Sequence, residues 1–169
     1  MDKKERIQLA KVFNRRLNKA VREKKTNVRD LLMTLGHAPL NRKAGANPWL
    51  PHAVTITELA YELGLTCDYL LGLTDRVEPD YLAGEWFGEE EMRFSFCCRF
   101  NDVFDEKMLT QIDFGKQMGS ATITVIHWLE GDYIPDTFCL VRFCRNFGYS
   151  FDYMLGLTEE RLLPGPYVP

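Results

Sequence analysis

DYLLGLTD at residues 68–75 and DYMLGLTE at 152–159 are one phrase written twice in a chain of 169 residues. A repeat at that spacing sets the architecture, because each copy has to close its own structural unit. Working back from the phrase, FNRRLNKAVREKKTNVRDLLMTLG (13–36) superposes on FCCRFNDVFDEKMLTQIDFGKQMG (96–119) at an offset of 83. Phe13/Phe96, Arg16/Arg99, Asn18/Asn101, Asp30/Asp113 and Gly36/Gly119 are identical pairs, and Leu9/Met92, Leu17/Phe100, Val21/Phe104 and Leu31/Phe114 agree in apolar character. One inserted residue moves the offset to 84, where Pro51/Pro135, Gly64/Gly148, Asp68/Asp152, Tyr69/Tyr153 and Gly72/Gly156 align.

Each copy reads as about five short helices. Apolar residues at 9, 13, 17 and 21, and again at 92, 96, 100 and 104, fall on one face of a 3.6-residue period. Thr26-Asn27 with Asp30, and Thr110 with Asp113, supply a capping oxygen and a first-turn carboxylate for a second helix. Gly36 and Gly119 then end it. A short third helix follows up to Pro51 or Pro135, a fourth runs to Gly64 or Gly148, and Thr66 or Ser150 caps a fifth. The expected fold is therefore all-α, with two tandem helical domains at 1–75 and 92–160, a linker at 76–91 and an extended tail at 161–169. The linker, with Pro79, Gly84, Gly88 and three consecutive glutamates, is expected to break both flanking helices. Phe94, Phe96, Phe100, Phe104, Phe114 and Trp128 are expected in the core.

Composition narrows the function. No run approaches the roughly 18 apolar residues of a membrane span, and the N-terminus lacks a signal-type apolar segment, so the expectation is cytoplasmic, with no membrane partner. Five cysteines without CxxC spacing, and three dispersed histidines, signal neither a disulfide framework nor a metal knuckle, and no catalytic grouping forms. The expectation is no enzyme, no cofactor and no metal. The formal net charge of −3 conceals a split: residues 1–84 carry 14 Lys+Arg against 10 Asp+Glu, and residues 85–169 carry 7 against 14. Such asymmetry points to different partners for the two halves.

A glycine-ended second helix, a short third helix finishing at Trp128, Gly131 and Pro135, and then FGYSFDYMLGLTE resemble the helix-turn-helix domain of the phage Cro-type repressor (xenobiotic-response-element) family. The resemblance spans about 92–159, and 6–75 more weakly. It implies repressor-like five-helix domains whose third helix lies in the major groove of double-stranded DNA, while the N-terminus of the second grips phosphate. By position, Gln111 matches the phosphate-gripping glutamine, and Ser120, Thr122, Thr124 and His127 match the turn and recognition helix. Thr122 and Ile123 stand where that family carries a polar pair, and Asp132 would repel phosphate.

In the first copy the third-helix segment HAPLNRKAGANPWLP (37–51) has lost the Trp-x-x-Gly pattern, yet it supplies Asn41, Arg42 and Lys43. These are expected near Arg15, Arg16, Lys19, Arg22, Lys24, Lys25, Asn27 and Arg29, where arginine and asparagine can read base edges and lysines can neutralise phosphates. The reading is a DNA-binding transcriptional regulator of phage or mobile-element type, gripping DNA mainly through its first half. The alternative is a protein-interaction module or inhibitor, in which the acidic C-terminal half binds a second copy or another protein.

Overall fold

The computed structural model describes residues 3–39, 48–79 and 88–163. Among them there are helices and no strands, in agreement with the all-α expectation. The chain divides between residues 79 and 80 into two compact units. The first holds α1 (Lys3–Glu23), α2 (Val28–Thr34), α3 (Ala53–Leu63) and α4 (Cys67–Leu70); the second holds α5 (Glu89–Glu106), α6 (Gln111–Met118), α7 (Thr122–Glu130), α8 (Thr137–Phe147) and α9 (Phe151–Met154). Residues 40–47, where the first copy's third helix was expected, lie outside the described residues. None of the described helices is long and apolar enough to cross a membrane.

The duplication holds in the core. The buried residues Leu9, Phe13, Leu17, Ala20 and Val21 of α1 recur 83 residues on as Met92, Phe96, Phe100, Val103 and Phe104 of α5, while buried Ala10 is replaced by half-buried Arg93. Burying each such Leu, Val, Met or Phe contributes about 1.5–3 kcal/mol. One core is largely aliphatic and the other aromatic. Phe100 lies 5.3 Å from Phe114, 5.6 Å from Phe143 and 6.2 Å from Trp128 between ring centroids, mostly edge-on or tilted, as ring quadrupoles favour.

Two residues past the ends of α1 and α5 stands a non-glycine residue with positive φ, Lys25 (56°) and Met108 (49°). The left-handed turn is strained for such residues and needs its surroundings to hold it. Here the following amide closes it in both copies, Thr26 donating to Val21 O and Leu109 to Phe104 O. Asn27 then caps α2 by accepting from the Asp30 amide, and Thr110 caps α6 by accepting from that of Asp113.

Three boundaries differ from expectation. Glu89, Glu90 and Glu91 form the first turn of α5 instead of breaking it, since carboxylates are favoured at a helix N-terminus. Residues 76 and 77 belong to the first unit, because Thr66 donates its amide to Val77 O and its hydroxyl to Arg76 O. Residues 161–163 likewise close the second unit, with Ser150 donating to Arg161 O, Leu163 donating to Gly148 O, and Leu163 itself buried. The amide bonds Thr66–Val77 and Ser150–Arg161 are equivalent, so the repeat extends beyond the recurring phrase.

Candidate nucleic-acid interface

The recurring phrase is a docking platform for an arginine. Arg16 Nη1 donates to Tyr69 O (2.7 Å) and Thr74 O (2.6 Å), its Nη2 donates to Asp75, and the guanidinium lies 4.5 Å from the Tyr69 ring centroid. Arg99 repeats this with the carbonyls of Tyr153 and Thr158, the carboxylate of Glu159, and the Tyr153 ring at 4.1 Å. A planar fork with five donors makes such a set possible where a lysine could not. Arg16 was expected to face phosphate; it is instead committed to its own unit, with a side chain only 16% exposed.

The remaining first-half candidates are on the surface. Arg15 and Lys19 lie on the face of α1 opposite its buried residues; Arg15 makes no ion pair among the described residues, and Lys19 has Glu23 at 3.9 Å. Together with Asn18, Arg22 and Glu23 they line a shallow concavity. Lys24, Lys25 and Arg29 are exposed around the turn from α1 to α2 and have no partner among the described residues. Asn27 is exposed, but its side chain caps α2 and its Nδ2 donates to Asp30 Oδ2 at 2.6 Å, so its polar atoms serve the helix start. Asn41, Arg42 and Lys43 lie outside the described residues.

In the second unit a three-residue turn, 119–121, joins α6 to α7. Gly119 supplies the left-handed conformation (φ 63°). Gly115, buried within α6, lets the chain after the turn pass close by: a Cβ there would sit 2.7 Å from the Ser120 carbonyl oxygen. The first unit carries a fully buried Leu32 at the equivalent position, and the His37 amide returns to the Leu32 carbonyl as the Ser120 amide does to that of Gly115.

Gln111 is exposed as the first residue of α6, while Thr122 and Thr124 are half-buried in the first turn of α7. Ser120 is half-buried with its Oγ 3.5 Å from Cys139 Sγ, facing inward. His127, at the other end of α7, has Nδ1 2.6 Å from Asp132 Oδ2 and its ring beside Tyr133. The donor atoms of His127, Glu130 and Asp132 lie within 4.8 Å of one another. The hydrogen bond brings His127 and Asp132 together, Glu130 is exposed beside them, and no metal role is assigned.

Exposed apolar side chains on the second unit include Ile112, Ile123 and Phe94, of which the sequence reading places only Ile123 at a surface position. Ile112 and Ile123 stand on the first turns of α6 and α7, beside the polar candidates. Phe94, expected in the core, is 72% exposed on α5. Its signal was present in the repeat, since the aligned residue is Lys11, a surface position. No family model, curated protein or solved structure matches the chain.

Proposed function

We propose that the protein is a DNA-binding regulator of phage or mobile-element type, built from two unequal helix-turn-helix units. The observation that carries this reading is the group of exposed cations at the α1–α2 junction that have no partner among the described residues: Lys24, Lys25 and Arg29. Unpaired cations release counterions on meeting phosphate, and Arg42 and Lys43 extend the group in sequence. Arg15 and Lys19, on the back of α1, add long-range attraction. The close α6–α7 pairing through Gly115 and Gly119 supports the helix-turn-helix assignment of the second unit, with Gln111, Thr122 and Thr124 as its weaker contacts. Binding of duplex DNA measured across salt concentrations tests the proposal. Affinity should fall steeply with salt, and Arg42→Ala with Lys43→Ala should flatten that dependence; salt-independent or absent binding would refute it.

A second reading is favoured by the acidic half, where Phe94, Ile112 and Ile123 are exposed and His127 is tied to a carboxylate. There the second unit is a protein-interaction surface. Concentration-dependent self-association that is lost on charge reversal at Glu89, Glu90 and Glu91 would favour it.

A further inference from the structure

The duplicated first helices share their buried faces and oppose one another on their outer faces. Lys11, Arg15, Lys19 and Arg22 recur at spacings of three and four, forming one exposed stripe directly opposite the core of α1. The same four positions on α5 hold Phe94, Cys98, Asp102 and Asp105, all exposed. Four cations in one copy of the repeat have become two carboxylates, an aromatic ring and a thiol in the other. Neither stripe packs against its own unit's core, so no requirement of folding explains the inversion.

We propose that the α5 stripe is the docking surface for the α1 stripe of a second copy of this chain. Charge complementarity selects this occupant. Lys19 and Arg22 meet Asp102 and Asp105, while the aliphatic stems of Lys11 and Arg15 cover Phe94, whose face also attracts a guanidinium. Each chain carries one stripe of each kind, so a twofold dimer would satisfy both stripes of both copies through two equivalent α1–α5 contacts. The inference rests on the reading of the acidic half as an interaction surface and commits that surface to self-association. It leaves Lys24, Lys25 and Arg29, beyond the stripe, free for DNA.

Sedimentation equilibrium of the full chain without DNA, at about 100 mM and about 500 mM salt, tests it. The expected result is a dimer that weakens with salt. Lys19→Glu with Arg22→Glu should weaken it at least about tenfold, and so should Asp102→Lys with Asp105→Lys. Each variant alone opposes like charges at both contacts. Mixed together, they restore both contacts and should give a heterodimer of wild-type strength. Alkylation of Cys98, on the same stripe, should slow as protein concentration rises. All four substituted residues are exposed, so an unchanged far-UV helical signal verifies folding. A dimer that survives both reversals overturns the α1–α5 assignment while leaving the acidic half an interaction surface. A chain that stays at single mass throughout overturns self-association itself.

Discussion

The Arg99 guanidinium lies 4.1 Å from the Tyr153 ring centroid while its Nη1 donates to the Tyr153 carbonyl, and Arg16 stands in the same relation to Tyr69. This pairing explains why the phrase recurs. Its tyrosine offers a ring and a carbonyl, its threonine a second carbonyl, and its last residue a carboxylate. The glycine between them turns left-handed at φ 74° or 84° to bring the last two groups back to the arginine.

Hydrogen bonds from a charged donor to carbonyls that are largely shielded from water carry most of this interaction, about 1.5–3 kcal/mol each, whereas an exposed ion pair contributes about 0–1 kcal/mol. Arg99 is 14% exposed and Glu159 is 92% exposed. We therefore expect Arg99→Lys to destabilise the protein by about 1–3 kcal/mol, and Glu159→Gln by less than about 0.5 kcal/mol, in denaturant unfolding. Equal costs for the two would place the energy in the ion pair and contradict the assignment.

Gly115→Ala separates helix propensity from packing. Propensity alone would make the substitution stabilising by about 1 kcal/mol. The added Cβ would meet the Ser120 carbonyl oxygen at 2.7 Å, a backbone atom that cannot swing aside. We expect net destabilisation of about 1–3 kcal/mol, read from the unfolding midpoint. A stabilised variant would mean that α6 and the following turn are not closely apposed.

Acid should remove one contact selectively. The hydrogen bond from Arg161 holds the Glu106 carboxyl below its ordinary value of 4.5. A pKa lowered in the folded state gives stability that is present above the unfolded value and is lost as pH falls through the folded one. Glu106→Gln should therefore melt lower than the parent at neutral pH, and the gap should close below pH 4.5. A gap unchanged in acid would show that the carboxylate's charge is not what matters.

On the proposed DNA-binding reading, the cationic side chains divide by role. Arg29→Ala and Lys24→Ala should each reduce the slope of log affinity against log salt by about 0.9. Arg16→Gln should lower stability and leave that slope unchanged, because the Arg16 side chain is engaged with Tyr69, Thr74 and Asp75. A slope that falls with Arg16→Gln in folded protein would return that residue to the proposed interface.

The helical class and the repeat were legible because they rest on local rules. The buried positions of α1 and α5 follow a 3.6-residue period, and Gly64, Gly119 and Gly148 end helices where a left-handed residue is needed. What escaped depends on contacts remote in sequence. Nothing near Arg16 announces that it reaches residues 69–75, although its identity with Arg99, set beside the recurring phrase, held the clue. Phe94 read as core from its residue type, whereas its alignment with Lys11 marks a surface position. The ends of the linker and the start of the tail were read from composition, but their backbone bonds to Thr66 and Ser150 bind them into the units. Of the candidate site, the exposure of Lys24, Lys25 and Arg29 follows from their polarity, whereas the capping role of Asn27 and the inward turn of Ser120 are set by specific hydrogen bonds.

Selection of binding sites from randomised duplex DNA by the full-length protein, at about 100 mM salt, tests DNA recognition most directly. Because the two units carry unlike residues at their equivalent positions, we expect one enriched, asymmetric site, with enrichment abolished by Arg42→Ala with Lys43→Ala. Recovery of a pool with no enriched sequence, alongside only weak binding at low salt, would contradict sequence-specific regulation and leave the interaction reading in its place.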